Sequence, residues 1–153
     1  MKKRVLIVGG VAGGASAAAR IRRLDETAEI IMFERGEHVS FSNCCLPYHL
    51  SKTVENSNAL VLMTPQRFLK QYAIEARVQS EVTSIHPAKK TVTVKNLQTG
   101  ETYTESYDQL VLAPGANPVM PKSIAGIGQK HVFSVRNVMD IRALKLYIDV
   151  NQI

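Results

Sequence analysis

Two adjacent thiols, Cys44-Cys45, lie in the stretch Ser40-Phe41-Ser42-Asn43-Cys44-Cys45-Leu46-Pro47-Tyr48 and are the only cysteines of the chain. Neighbouring cysteines close only a strained bridge, which argues against a structural staple. Two thiols without histidines beside them fall short of a zinc site, so no metal is expected. What remains is thiol chemistry, or the packing of two small side chains, in a reducing cytosol. Asn43 is placed to cap a short helix. Cys44 would then stand in its first turn, where the partial positive charge favours the thiolate that attacks disulfides.

The second chemical cluster is Gly9-Gly10-Val11-Ala12-Gly13-Gly14, followed 20 residues later by Glu34. A glycine-rich turn between a strand and a helix lets backbone N–H groups approach a pyrophosphate at the helix N-terminus. An acid closing the next strand can accept hydrogen bonds from a ribose hydroxyl. Val11 occupies the place of the usual middle glycine. The pattern by itself does not separate FAD from NAD.

These groups need a frame, and the rest of the sequence supplies one. Arg4–Val8 is a β-branched run ending in glycines and reads as a buried parallel strand. Residues 12–26, rich in alanine and arginine, read as a helix with Ala17, Ile21 and Leu24 as its apolar stripe. Glu29–Phe33 forms the second strand of a βαβ unit. A loop holding both cysteines covers 36–50, and Pro65–Tyr72 is a short helix entered through Thr64. Three β-rich runs, 76–85, 91–97 and 102–107, form an antiparallel meander, the last two joined by a turn at Gln98-Thr99-Gly100. Residues 110–112 return to the parallel sheet and lead into Ala113-Pro114-Gly115. Residues 138–148 form an amphipathic helix with Ile141, Leu144 and Ile148 on one face. The fold class expected is α/β: a Rossmann-like parallel sheet with a βαβ unit plus a three-stranded antiparallel meander. That order of elements recurs in two-dinucleotide flavoproteins and favours FAD.

The balance of 45% apolar and 21% charged residues is that of a soluble globular protein. No apolar run approaches the ~18 residues of a membrane span, so a cytoplasmic protein is expected. The formal charge of +6 is scattered, without a nucleic-acid motif or a stacking platform, which argues against nucleic acid. A positive field also suits phosphate-bearing ligands.

Val8-Gly9-Gly10-Val11-Ala12-Gly13-Gly14-Ala15, Ile21-Arg22-Arg23-Leu24-Asp25, Phe33-Glu34 and Ser40-Phe41-Ser42-Asn43-Cys44 together resemble the coenzyme A-disulfide reductases. More broadly, they resemble the single-cysteine branch of the pyridine nucleotide-disulfide oxidoreductases, from Arg4 to about Pro118. The resemblance implies an FAD-dependent enzyme in which NAD(P)H reduces the flavin and the flavin reduces one cysteine. Its acceptor would be coenzyme A disulfide or a related persulfide or polysulfide. NADH oxidases and peroxidases, whose cysteine cycles through a sulfenate, are the nearby alternative. A non-catalytic nucleotide-binding module is the alternative of another class.

Carried over by motif, Cys44 matches the redox nucleophile. Ser40, Asn43, Ser16, Arg20 and Arg23 match substrate contacts. Gly9, Gly10, Val11, Ala12, Gly13, Gly14, Glu34, Arg35, Val82, Ala113, Pro114 and Gly115 match FAD contacts. Independently, positions 16, 20 and 23 share one helix stripe, about 100° from the expected apolar one. Two arginines there suit phosphates, or simply form a solvated basic face. Cys45 stands where the family has glycine or alanine, and Pro114 replaces a common threonine. The resemblance places residues 1–118 in the N-terminal part of an FAD-binding domain. Residues 119–153 then form a connector and helix leading to an NAD(P)H-binding domain that is not in the chain. A fragment of this kind is expected to be inactive alone, and the full-length protein to be a homodimer.

Overall fold

The computed structural model describes residues 2–153. Four parallel strands form the central sheet in the order β3-β2-β1-β7: β1 (Arg4–Val8), β2 (Glu29–Phe33), β3 (Ile74–Arg77) and β7 (Gln109–Leu112). Between β1 and β2 runs α1 (Ala12–Leu24), and α3 (Pro65–Tyr72) leads directly into β3. The meander is a separate antiparallel sheet of β4 (Ser80–His86), β5 (Thr91–Asn96) and β6 (Thr102–Ser106). Two further helices, α2 (Leu46–Leu50) and α4 (Val138–Asn151), complete the described elements apart from short 3-10 turns.

The chain divides into two compact units. One comprises the residues up to Phe41 together with Leu62–Gly115, and the other Ser42–Val61 with Ala116–Ile153. In the first unit both faces of the parallel sheet are covered, which is why its strands read as continuous apolar runs. Val5, Ile7, Ile30, Met32 and Ile74 pack with Ala15 and Ala18 of α1 and Phe68 of α3. On the opposite face, Leu6, Ile31 and Phe33 pack with Val92 and Val94 of β5. Arg77 and Arg4 both reach Glu105 at 2.6 Å, joining sheet and meander, and Arg77 also lies over the rings of Phe33 and Tyr103. In the second unit α4 starts with a capping box: Asn137 Oδ1 accepts from the N–H of Met139 and Asp140, and Asp140 accepts from the N–H of Asn137.

Three expectations need correction. Residues 76–85 are not one strand. The chain turns at Gln79, held at φ 49°, so that β3 joins the parallel sheet and only β4 belongs to the meander. The buried face of α1 is Gly14, Ala15 and Ala18, with Ile21 half-buried, while Leu24 is 69% exposed. Small residues let the helix sit close on the sheet, so burial follows glycine and alanine rather than the larger side chains. The helix at 138 also runs three residues beyond its expected end, to Asn151, and Ile141 is its fully buried member of the expected face.

Candidate functional site

The C-terminal ends of parallel strands lie at one edge of their sheet, and the residues that follow them meet there. After β1 comes the glycine turn, after β2 Glu34-Arg35, and after β7 Ala113-Pro114-Gly115. The Gly9 N–H donates to Phe33 O at 2.8 Å and the Ala113 N–H to Val8 O at 2.7 Å. Gly9 has φ +95°, and a Cβ built on it would fall 1.9 Å from Ala113 O. A Cβ on Gly14 would fall 1.7 Å from Gly9 O, and one on Gly10 would fall 2.7 Å from Val39 Cγ1. These three glycines are therefore demanded by the chain's own packing. Gly13 is different, since its nearest neighbour would be Ala113 Cβ at 3.4 Å, an ordinary contact.

Val11 takes the cap position of α1 and makes no side-chain bond to the first-turn N–H groups. Those donors stay open at the positive end of the helix, the arrangement that receives an anion. Glu34 is held by two bonds: Oε2 accepts from the Gly10 N–H and Oε1 from the Gly36 N–H, each at 2.8 Å. Each oxygen keeps a further lone pair for a hydroxyl donor. Beside it opens a cavity of about 110 Å³ lined by Val8, Gly9, Phe33, Glu34, Arg35, Ser80, Glu81, Val82 and Pro114. β4, which carries Val82, is an edge strand, so its outer side offers unpaired backbone groups. The glycine turn, the carboxylate and the cavity fit a nucleoside diphosphate with its ribose at Glu34. Ser80 and Glu81 also line that cavity, and no motif in the sequence singled them out. Ser40 belongs to this unit: its N–H donates to Gly10 O at 2.8 Å and its backbone is left-handed, φ 48°.

Ser16, Arg20 and Arg23 are exposed along one side of α1. With the buried face now at Gly14, Ala15 and Ala18, that stripe opposes the core, roughly 160° away, rather than flanking it. Among the described residues neither arginine makes a side-chain hydrogen bond or ion pair. Arg22, by contrast, is spent on structure, donating to the carbonyls of Tyr72 and Ala73 at 2.7 and 2.9 Å and of Glu26 at 2.6 Å.

In the second unit, Asn43–Cys45 form a 3-10 turn that continues into α2. Ser42, not Asn43, holds the cap position, and it makes no side-chain cap bond. Asn43 is therefore not a helix cap. Its Oδ1 is buried without a hydrogen-bond partner among the described residues. Cys44 is exposed and Cys45 half-buried, both as free thiols with sulfurs 4.0 Å apart. Ser42 Oγ is 3.3 Å from Cys44 Sγ. The Ser42 hydrogen bond, followed by that of Cys45, holds the Cys44 thiol below its ordinary pKa against a small opposing effect of burial. His49 of α2 is buried, and its Nδ1 donates to Val54 O at 2.7 Å. Among the described residues no group of three or more His, Cys, Asp or Glu is arranged to hold a metal ion. No helix there is long and apolar enough to cross a membrane.

Residues 3–150 match the family model described as pyridine nucleotide-disulphide oxidoreductase. The chain belongs to that family. The coenzyme A disulfide reductase of Staphylococcus aureus is 39% identical over 150 residues, covering 98% of this chain and 33% of the relative. The reduced CoADR-RHD protein of Bacillus anthracis superposes with a TM-score of 0.94 at 48% identity, over 99% of this chain and 27% of that one. An NAD-dependent persulfide reductase from A. fulgidus superposes at 0.88 with 31% identity, over 97% and 27% of the two chains. The chain thus spans about a third of the length of the curated relatives it matches. The family pairs a flavin with a pyridine nucleotide, and the α/β architecture expected from the sequence is the one observed.

Proposed function

We propose that this chain is the FAD-binding part of an NAD(P)H-dependent disulfide reductase whose redox thiol is Cys44. Coenzyme A disulfide, or a related coenzyme A persulfide or polysulfide, is the acceptor. The observation that carries the reading is the exposed Cys44 with its lowered pKa, in a chain 39% identical to a coenzyme A disulfide reductase. The glycine turn and the first turn of α1, residues 9–14, would hold the pyrophosphate. Glu34 with Arg35 would hold the ribose, Val82 the adenine through its backbone, and Ala113-Pro114-Gly115 the flavin end. Bound there, FAD supplies the two electrons, drawn from NAD(P)H, that restore the thiol.

The protein's own part is to present a nucleophile. The Cys44 thiolate attacks one sulfur of the substrate disulfide, forming a mixed disulfide and releasing the other half as a thiolate. Ser40 and Asn43, beside the thiol in sequence, orient the substrate. Ser16, Arg20 and Arg23 receive the phosphates of the coenzyme A portion, because the two guanidiniums are exposed and have no partner among the described residues.

The test uses the full-length protein that carries this chain, purified as its expected homodimer, with NADH or NADPH. Turnover with coenzyme A disulfide or persulfide should exceed that with peroxide or oxygen. Cys44→Ser should lower disulfide turnover by at least about a thousandfold. Disulfide reduction that survives Cys44→Ser would rule the assignment out, and preferential consumption of oxygen would transfer it to the oxidase class.

A further inference from the structure

Cys44 has two hydrogen-bearing neighbours, and both are unusual in how they are used. Ser42 sits where a serine ordinarily turns its oxygen onto a backbone N–H of the following turn. No such bond forms. Its backbone is nevertheless fixed: the Ser42 N–H donates to Leu60 O at 2.8 Å, and its carbonyl accepts from the Cys45 N–H at 3.2 Å. On that fixed backbone the hydroxyl lies 3.3 Å from Cys44 Sγ, with no other hydrogen-bond partner among the described residues. In the same short turn, the half-buried Cys45 places its own sulfur 4.0 Å away.

The protonation state of Cys44 decides how well this arrangement is satisfied. A neutral Cys44 has one hydrogen and can offer it to one neighbour at a time. A thiolate has none and accepts from the Ser42 O–H and the Cys45 S–H together, the second being the weaker donor. Hydrogen bonds given to the charged form favour that form. We infer that Ser42 and Cys45 are positioning residues that hold Cys44 as a thiolate and aim its sulfur outward, Ser42 being the stronger of the two. This rests on the reading of Cys44 as the reacting thiol. It assigns Cys45 a donor's role in place of simple space-filling.

The experiment is the pH profile of Cys44 alkylation by iodoacetamide, with peptide mapping to separate Cys44 from Cys45. It is run on the parent protein and on Ser42→Ala, Ser42→Thr, Cys45→Ala and Cys45→Ser. At pH 7 Ser42→Ala should react roughly three- to tenfold more slowly, the effect of one hydrogen bond to an exposed charged group. At high pH, where every form is ionised, it should match or pass the parent, because a more basic thiolate is the better nucleophile. Ser42→Thr restores the hydroxyl and should restore the profile. Cys45→Ala should shift it in the same direction by less, and Cys45→Ser should recover it. Superimposable profiles for the parent, Ser42→Ala and Cys45→Ala, with circular dichroism unchanged, would overturn the inference. So would an equal slowing at all pH values, which marks a steric change rather than a lost donor. Because alkylation needs no flavin and no turnover, these outcomes are separate from the Cys44→Ser turnover test.

Discussion

Gly14→Ala puts one methyl group where the structure has no room for it. The added Cβ would lie 1.7 Å from Gly9 O, with Ile7 Cγ2 at 3.2 Å behind it. Reaching 3.0 Å, the nearest that real Cβ atoms come, takes about 1.3 Å of separation between the start of α1 and the glycine turn. Neither side yields easily, since the Gly9 N–H is bonded to Phe33 O and Gly14 itself is buried. A backbone-on-backbone clash belongs at the upper end of the overpacking range, about 3 kcal/mol. Alanine returns up to ~1 kcal/mol through its helix preference, leaving a net loss of about 2 kcal/mol. For a chain of this length that lowers Tm by about 4–8 °C. Thermal unfolding followed by circular dichroism measures it, and FAD retention should fall in parallel because the open N–H groups move with the helix. Gly13→Ala is the internal control. Its Cβ meets only Ala113 Cβ at 3.4 Å, so Tm should hold or rise slightly, whereas the proposed role of residues 9–14 in holding the pyrophosphate predicts weaker FAD binding. A Gly14→Ala protein that melts within about 1 °C of the parent would refute the packing argument. A Gly13→Ala protein that binds FAD like the parent would refute the assignment of the turn to phosphate.

Glu105→Gln should cost about 2 kcal/mol at pH 7, because the carboxylate is only 14% exposed and bridges Arg77 and Arg4 at 2.6 Å each. Burial pushes the Glu105 carboxyl upward, but the hydrogen bond and charge of Arg77, with those of Arg4, outweigh it and hold the group below the ordinary glutamate range. A depressed folded-state pKa means that the contribution is complete above the unfolded value, about 4.3, and disappears as the pH falls through the folded one. Urea unfolding at pH 7 and pH 3 should therefore show the gap between parent and variant closing in acid, and a gap of constant size would contradict it. In the full-length protein, Arg20→Gln and Arg23→Gln should raise KM for coenzyme A disulfide severalfold with kcat nearly kept, the pattern of lost ground-state binding. Unchanged kinetics would return those arginines to an ordinary solvated face.

The frame of the site was legible because it follows from strong local rules. A β-branched run, a glycine turn, an alanine-rich helix and an acid closing the next strand leave few alternatives, and the turn at 98–100 announces a hairpin. The break at Gln79 was not legible. A left-handed residue that is neither glycine nor asparagine carries no sequence signal, and the β propensity of the run continues straight across it. The buried face of α1 was misread for a related reason. Periodicity weights large side chains, whereas a helix lying close on a sheet buries its smallest ones, and Leu24 is left in solvent. Around the thiols the expectation of an Asn43 cap rested on residue preference alone. The structure moves the cap position to Ser42 and leaves that serine facing the sulfur, a relation visible in the sequence only as a Ser-x-Cys spacing.

Glu34, proposed to receive the ribose, is already fixed by the fold itself. From the sequence, an acid after the second strand has one role, accepting from a ribose. In the fold it first bridges two loops, taking the Gly10 N–H with one oxygen and the Gly36 N–H with the other. Those bonds fix the plane of the carboxylate and offset the cost of its partial burial, so the lone pairs that remain are already aimed when a hydroxyl approaches. Ordering a flexible side chain on binding costs about 0.5–1.5 kcal/mol, and here that cost has been met in folding. The bridge also ties the position of the acid to the turn proposed to hold the phosphate, since Gly10 lies between Gly9 and the start of α1. Under the proposed function, ribose and pyrophosphate would be received by one connected piece of backbone, which is why the spacing between Gly9 and Glu34 can be read as a unit.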